Sequence, residues 1–336
     1  MKVAVIAGRG RVEIVERELP APRPGWVRLA IGAVGICGSD LNLLQGSLLD
    51  PTGMQPGHEV AGYIDALGEG VALASGSAVA LEPLHGCGDC FHCNTGHHNL
   101  CENGRLFGVS AKGGMAEFMT VPAACLHMLP KNVDMQVAAL AEPMAVAVRG
   151  VRLGRIGIGS RVTVLGAGTI GLLSVVAARA AGAEEILITA RYPQQAELAR
   201  SLGATAVYTD IEALAKAGGY GADVVIETVG GTADTLTEAT AAVRRGGTIV
   251  MLGVFEGSPR IPGLPFFYGE LTLVASNCYA HDAPIGDFAL ATRLVLRHAS
   301  ELTRLVTHRF SLDGVARAYA TAADKKEGAI KVHIRP

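Results

Sequence analysis

The hexapeptide Gly166-Ala167-Gly168-Thr169-Ile170-Gly171 follows the apolar run Val162–Leu165 and leads into Ile170–Ala181, an Ala/Leu-rich stretch with helical spacing. G-x-G-x-x-G alone is a weak signal; with a strand before it and a helix after it, each glycine has a mechanical role. The first permits a tight turn, the second lets backbone approach a pyrophosphate, and the third lets the helix pack on the strand. The helix N-terminus then faces the phosphates. Gly166, Gly168, Thr169, Ile170 and Gly171 are therefore candidate cofactor-binding residues. Ile186–Thr189, Val224–Glu227 and Thr248–Leu252 read as further buried strands, alternating with helical stretches such as Gln194–Leu202. That alternation predicts an α/β, doubly wound parallel sheet.

The text on either side is different. Up to about residue 145, short β-branched runs (Val3–Ile6, Trp26–Ala33, Glu59–Ala66, Ser77–Leu81) alternate with Gly/Pro turns. After about 280 come an apolar helix near Asp287–His298, a strand-like Leu305–Phe310 and a closing Ile330–Ile334. The predicted organisation is a β-rich domain made of 1–145 and 281–336, interrupted by a dinucleotide-binding domain at 146–280. A net charge of −2 over 336 residues provides no electrostatic footprint for nucleic acid or an anionic membrane. Arg9 and Arg11 interrupt the N-terminal apolar run too early for a signal peptide. The expectation is a cytoplasmic protein with no membrane and no nucleic-acid partner.

Cys87, Cys90 and Cys93 form C-x-x-C-x-x-C, and Cys101 follows shortly after. In a reducing compartment such clustering calls for a metal, and four thiolates close a tetrahedral zinc site. This zinc is expected to be structural. His85, His92, His97 and His98 are then surplus to the ligand set and are read as surface residues. A four-cysteine lobe would also suit a nucleic-acid-binding ribbon, so it does not by itself establish an enzyme.

Cys37 in Gly35-Ile36-Cys37-Gly38-Ser39-Asp40, His58-Glu59 after Gly57, and Glu142 in Ala141-Glu142-Pro143 add a thiolate, an imidazole and two carboxylates. That is the donor mix of a catalytic zinc that keeps one position open. With these motifs, Gly113-Gly114-Met115-Ala116-Glu117 and Leu305-Val306-Thr307-His308-Arg309-Phe310, the whole chain resembles the zinc-dependent medium-chain dehydrogenases, and within them the polyol dehydrogenase branch. The resemblance implies a GroES-like catalytic domain and a Rossmann nucleotide domain, with one catalytic and one structural zinc. It implies that Cys37, His58 and a carboxylate, Glu59 or Glu142, bind the catalytic zinc while the other carboxylate contacts its water. It also casts Ser39 as a proton-relay hydroxyl. The activity implied is hydride transfer between a nicotinamide cofactor and a small-molecule secondary alcohol or ketone, a polyol or cyclitol among them.

Where an acidic residue normally binds the adenine ribose, at the end of the second strand, this chain has Ala190-Arg191-Tyr192. A small residue and a guanidinium suit a 2′-phosphate, so NADP(H) is expected over NAD(H). Two departures blur the substrate. Asn42 replaces the histidine of C-G-S-D-x-H, and Val274-Ala275-Ser276-Asn277 stands where open-chain polyol enzymes carry Arg-Tyr-x-Asn, which removes a hydroxyl anchor. Arg149, where histidine is common, is read as a cofactor contact or helix surface. The rivals are an NAD-dependent polyol or threonine dehydrogenase and a zinc-free quinone or enone reductase. Leu41, Leu44, Phe107 and 274–279 are expected to wall the substrate pocket. Ser258–Phe267 with Leu271–Val274 resembles an edge through which relatives pair, which points to a homo-dimer or homo-tetramer.

Overall fold

The computed structural model describes residues 1–46, 50–217 and 221–336. The chain divides into two compact units, Met1–Glu142 with Ala280–Pro336, and Pro143–Tyr279.

The first pass through unit one lays down β1 (Lys2–Gly8), β2 (Arg11–Glu16), β3 (Trp26–Ile36), β4 (Glu59–Leu67), β5 (Ala78–Leu81), β6 (Leu84–His85), β7 (Arg105–Leu106), β8 (Phe118–Pro122) and β9 (Leu126–Met128). The second unit contributes β10 (Arg161–Leu165), β11 (Glu185–Thr189), β12 (Ala206–Tyr208), β13 (Ala222–Glu227), β14 (Val243–Met251) and β15 (Thr272–Ala275). The chain then returns to unit one with β16 (Val306–Ser311) and β17 (Lys331–Arg335).

In unit one the main sheet runs β16-β17-β3-β4-β5-β9, with β8 also paired to β3. The eleven-residue β3 shows why: Val27, Leu29, Ile31 and Ala33 alternate inward, then burial becomes continuous from Ala33 to Ile36. Alternation builds a half-exposed sheet, and the continuous end is buried on both faces. Val27, Leu29, Val34 and Ile36 pack with Leu43, Leu44, Phe107, Tyr319 and Ile334 in one core.

Unit two is a parallel sheet ordered β12-β11-β10-β13-β14-β15, reversing direction of growth beside β10. This is the doubly wound order whose switch point binds ligands. It contains two strands beyond the four read in the sequence, β12 and β15; their short runs and partly exposed patterns lack the continuous apolar signal of central strands. Among the described residues no helix is long and apolar enough to cross a membrane.

Candidate active site

Strand register explains how residues far apart in sequence meet. Gly35 pairs with Glu59 across β3 and β4, and with His333 across β3 and β17. The end of β3 therefore delivers Cys37 beside the start of β4, where His58 immediately precedes the strand and Glu59 opens it, and beside β17, which carries Lys331 and His333. Donor atoms of Cys37, His58 and Glu59 lie within 4.8 Å of one another. Two glycines make this convergence possible. A Cβ on Gly35 would collide with the Glu59 carboxylate, and Gly57, at φ +100°, would drive one to within 2.8 Å of Met115.

The local sequence also orients the donors. Cys37 caps the helix Gly38–Gln45, and its backbone N–H donates to Asp40 Oδ2 at 2.9 Å. The other Asp40 oxygen faces His58 Nδ1 at 3.5 Å, with both atoms buried and otherwise without a hydrogen-bond partner. A carboxylate behind an imidazole fixes the ring and leaves its far nitrogen for a metal. Burial opposes a charge on His58, but the Asp40 carboxylate and Cys37 sulfur outweigh it and hold the ring well above its ordinary range. The cluster thus favours positive charge at this point, and a divalent cation held by Cys37 and His58 satisfies the same field.

Lys331 donates to both oxygens of the fully buried Glu59, at 2.7 and 2.8 Å, and to the Ile36 carbonyl at 3.0 Å. Burial pulls the ammonium toward neutrality, yet the Glu59 and Cys37 charges prevail and raise it. His333 is driven the other way, well below its usual range, by burial and then by Lys331 and Arg309. Its neutral ring pairs Nδ1 with Gln136 Oε1 at 3.0 Å. Asp40, Lys331 and His333 were not singled out from sequence. Lys331 and His333 did leave a signal, as polar residues inside an otherwise apolar closing strand.

Glu142, in the first turn of the helix Ala141–Leu153, lies outside the three-donor group but within its electrostatic reach. Burial raises its carboxyl, His58 and Lys331 pull it down, and Glu59 and Asp40 push it up. Ser39 stands half-buried on the first helical turn after Cys37.

The four-cysteine lobe is built locally. Cys87, Cys90, Cys93 and Cys101 place their sulfurs within 4.8 Å of one another, and none is in a disulfide. Backbone N–H groups of Cys93 and Cys87 donate to Cys90 Sγ and Cys101 Sγ, each at 3.4 Å. Four thiols gathered around one point, with amides stabilising sulfur charge, fit a closed zinc site.

In unit two Gly166 adopts φ +95°, Gly168 caps the helix Thr169–Ala181, and a Cβ on Gly171 would collide with the Gly166 carbonyl. Thr189 Oγ1 accepts from the Gly166 N–H at 2.9 Å, joining the ends of β10 and β11. Ala190 is buried directly after β11, Arg191 is exposed, and Tyr192 caps the helix Pro193–Ser201.

Comparison with known proteins decides the family. Residues 23–131 match the alcohol dehydrogenase GroES-like domain, and residues 169–297 match the zinc-binding dehydrogenase domain. The 2-dehydro-3-deoxy-L-galactonate 5-dehydrogenase of Pseudoalteromonas atlantica is 33% identical, over 98% of this chain and 97% of its own. The chain belongs to the zinc-dependent medium-chain alcohol dehydrogenases. It is therefore a nicotinamide-dependent oxidoreductase acting on a CH–OH group. A zinc-binding dehydrogenase from Sinorhizobium meliloti 1021 bound to NADP superposes with a TM-score of 0.91 at 32% identity, covering 100% of this chain and 99% of the other. An Escherichia coli alcohol dehydrogenase (rspB) complexed with NADH gives 0.90 at 29% identity, covering 100% and 99%.

Leu44 and Phe107 are 6% and 4% exposed within the unit-one core, and Leu44 also lines a cavity with Leu41 and Asn42. Two sequence expectations for this dehydrogenase need correction. Arg149 is buried, not on the helix surface. His98 is not a surface residue either: its side chain is 11% exposed and approaches the buried Glu82.

Proposed function

We propose that this enzyme oxidises a secondary hydroxyl of a polyol or sugar acid, or reduces the matching ketone, using NADP(H). The observation that carries the reading is the convergence of Cys37, His58 and Glu59 at the ends of neighbouring strands. We assign these three side chains to the catalytic zinc, and the four-cysteine lobe to a second, structural zinc. Zinc supplies a Lewis acid that makes an alcohol acidic near neutral pH.

The protein's own residues do the rest. Asp40 holds His58 in its ligating orientation, and Lys331 fixes Glu59 against rotation. Glu142, its carboxyl raised by burial, would serve as a second carboxyl group beside the metal centre, contacting the zinc-bound water or alcohol. Ser39 Oγ takes the alcohol proton and passes it toward solvent; Asn42 occupies the position from which a histidine would extend that path, so the outer step runs through water. The fingerprint glycines and the helix N-terminus at Thr169 bind the pyrophosphate.

The NADP(H) reading rests on Ala190 and Arg191: a small side chain leaves room for a 2′-phosphate, and an exposed guanidinium can pair with it. The NADP-bound Sinorhizobium structure agrees with it, while the NADH-bound E. coli structure favours NAD(H) as the alternative. Sugar acids enter as substrates through the galactonate-type relative. Leu264, Phe267 and Tyr268, 69–73% exposed on the helix Gly263–Tyr268 next to edge strand β15, support self-association as a dimer or tetramer. The thiol-rich metal sites suit a reducing cytoplasm. Fluorescence titration with NADPH and NADH, followed by a screen of polyols and aldonates, tests the reading. NADPH binding at least tenfold tighter, about 1.4 kcal/mol, with turnover of at least one secondary polyol or aldonate, is the expected result. Tighter NADH binding would reject the Arg191 assignment.

A further inference from the structure

Outside both zinc clusters, unit one gathers a third set of metal-competent side chains. Donor atoms of Glu82, His98 and His281 lie within 4.8 Å of one another. Glu82 directly follows β5, and its side chain is only 4% exposed. No lysine or arginine among the described residues forms an ion pair with it; three imidazoles surround it instead. His127 Nε2 lies 2.8 Å from Glu82 Oε2, His281 Nε2 lies 2.9 Å from Oε1, and His98 Nε2 lies 3.1 Å from Oε1.

The geometry at Oε1 is the informative part. This oxygen is buried and makes no hydrogen bond, although two imidazole nitrogens stand within 3.1 Å of it. His281 Nε2 gives its hydrogen bond to the other carboxylate oxygen, Oε2, at 3.2 Å. Oε1 is thereby left buried beside two imidazoles without a hydrogen bond of its own, as a metal-ligating oxygen would be. Oε2, by contrast, is held by both His127 and His281, and the His127 ring also packs on Phe288 at 4.6 Å. That contact fixes the carboxylate plane and leaves Oε1 for the shared point, the way an outer partner orients a ligand.

The backbone holds the set together. His281 N–H donates to the Gly96 carbonyl at 2.7 Å, and His97 Nε2 pairs with Asp282 Oδ2 at 3.3 Å. Gly96, at φ +81°, is required there, since a Cβ would lie 2.6 Å from the His281 carbonyl oxygen. The loop between Cys93 and Cys101 is thus sewn to the start of the returning segment, and the three donors sit on that seam. His281, half-exposed, gives an ion a route from solvent.

We propose that Glu82, His98 and His281 form a third metal site, oriented by His127, that takes a borderline divalent cation such as Zn²⁺, Co²⁺ or Ni²⁺. Two imidazoles and one carboxylate are the donor set such ions prefer, and a fourth position stays open to water. The site clamps the four-cysteine lobe to the returning chain. It lies apart from the cluster that carries the chemistry, so turnover does not depend on it.

The test uses tag-free, zinc-loaded full-length enzyme, with zinc per chain counted after desalting and calorimetric titration with Zn²⁺. The wild type is expected to hold one equivalent more than His281→Gln and Glu82→Gln, with kcat unchanged in His281→Gln. His127→Gln is expected to keep the site with affinity weakened roughly 10–100-fold. His281 is half-exposed, so its variant carries the test if Glu82→Gln fails to fold. Equal zinc contents in wild type and His281→Gln, with no titratable site that the substitution removes, would overturn the proposal and leave the imidazoles as hydrogen-bond partners of Glu82.

Discussion

The catalytic cluster and the four-cysteine lobe use overlapping donor chemistry in opposite ways. Cys37, His58 and Glu59 come from strand ends aligned by register, and their supports, Asp40 and Lys331, are buried. The lobe takes all its sulfurs from one loop, with Cys87 exposed and the others partly so. Four thiolates close a coordination sphere and leave nothing for a substrate. Three mixed donors, ringed by charged groups that hold one another in place, keep a position for chemistry. On the proposed assignment, reactivity would come from assembly over long sequence distances, while the local loop would supply stability.

The sharpest way to break that contrast is to remove one sulfur from each. Cys37→Ser should cost at least about 1,000-fold in kcat, since losing a ligand must exceed the roughly 10–100-fold typical of an outer partner, while leaving the melting temperature nearly unchanged. Cys93→Ser should do the reverse, lowering the melting temperature with little loss of kcat per folded chain. Matched losses of activity in both variants, measured alongside thermal unfolding, would erase the distinction.

The next largest effect concerns the buried pair. Lys331→Met leaves the Glu59 carboxylate uncompensated in the interior and should destabilise the fold by about 3–5 kcal/mol. The double variant with Glu59→Gln should recover much of that stability in urea unfolding without restoring turnover. Failure to recover would mean that Lys331 acts through packing. Asp40→Asn should be milder, weakening zinc retention roughly 10–100-fold against a chelator; unchanged retention would remove Asp40 from the account.

The smallest effect contrasts an exposed ion pair with that buried one. Asp223 is held below its ordinary pKa by the Arg161 backbone N–H and then by the Arg244 side chain, at 2.8 and 2.6 Å. A depressed carboxyl stabilises the fold above its unfolded pKa and loses that contribution as pH falls through its folded value. Asp223→Asn should therefore cost under about 1 kcal/mol at neutral pH, as exposed pairs do. The difference from wild type should shrink as pH falls below the unfolded carboxylate's ordinary pKa of about 3.9 and vanish once the folded carboxyl is protonated as well. A gap that persists in acid would assign the effect to shape, not charge.

What was legible in the sequence follows the same division. The C-x-x-C-x-x-C lobe and the glycine fingerprint are short-range patterns whose partners lie within a few turns, so spacing alone reveals them. Cys37, His58 and Glu59 could be nominated by residue type, but only the β3–β4 register brings them together. Lys331 lies 272 residues from Glu59 in sequence, and no local pattern joins them. His98 was misread because four cysteines already filled the neighbouring site, and its approach to Glu82 depends on how the lobe folds back. β12 and β15 escaped for a related reason: short sheet-edge strands carry half a hydrophobic pattern.

Diffraction from crystals of the zinc-loaded, active enzyme, collected on either side of the zinc absorption edge, tests the central claim most directly. The account predicts an anomalous peak between Cys37 Sγ, His58 and Glu59, and a separate one among Cys87, Cys90, Cys93 and Cys101. Active crystals with no zinc at Cys37 and His58 would contradict it.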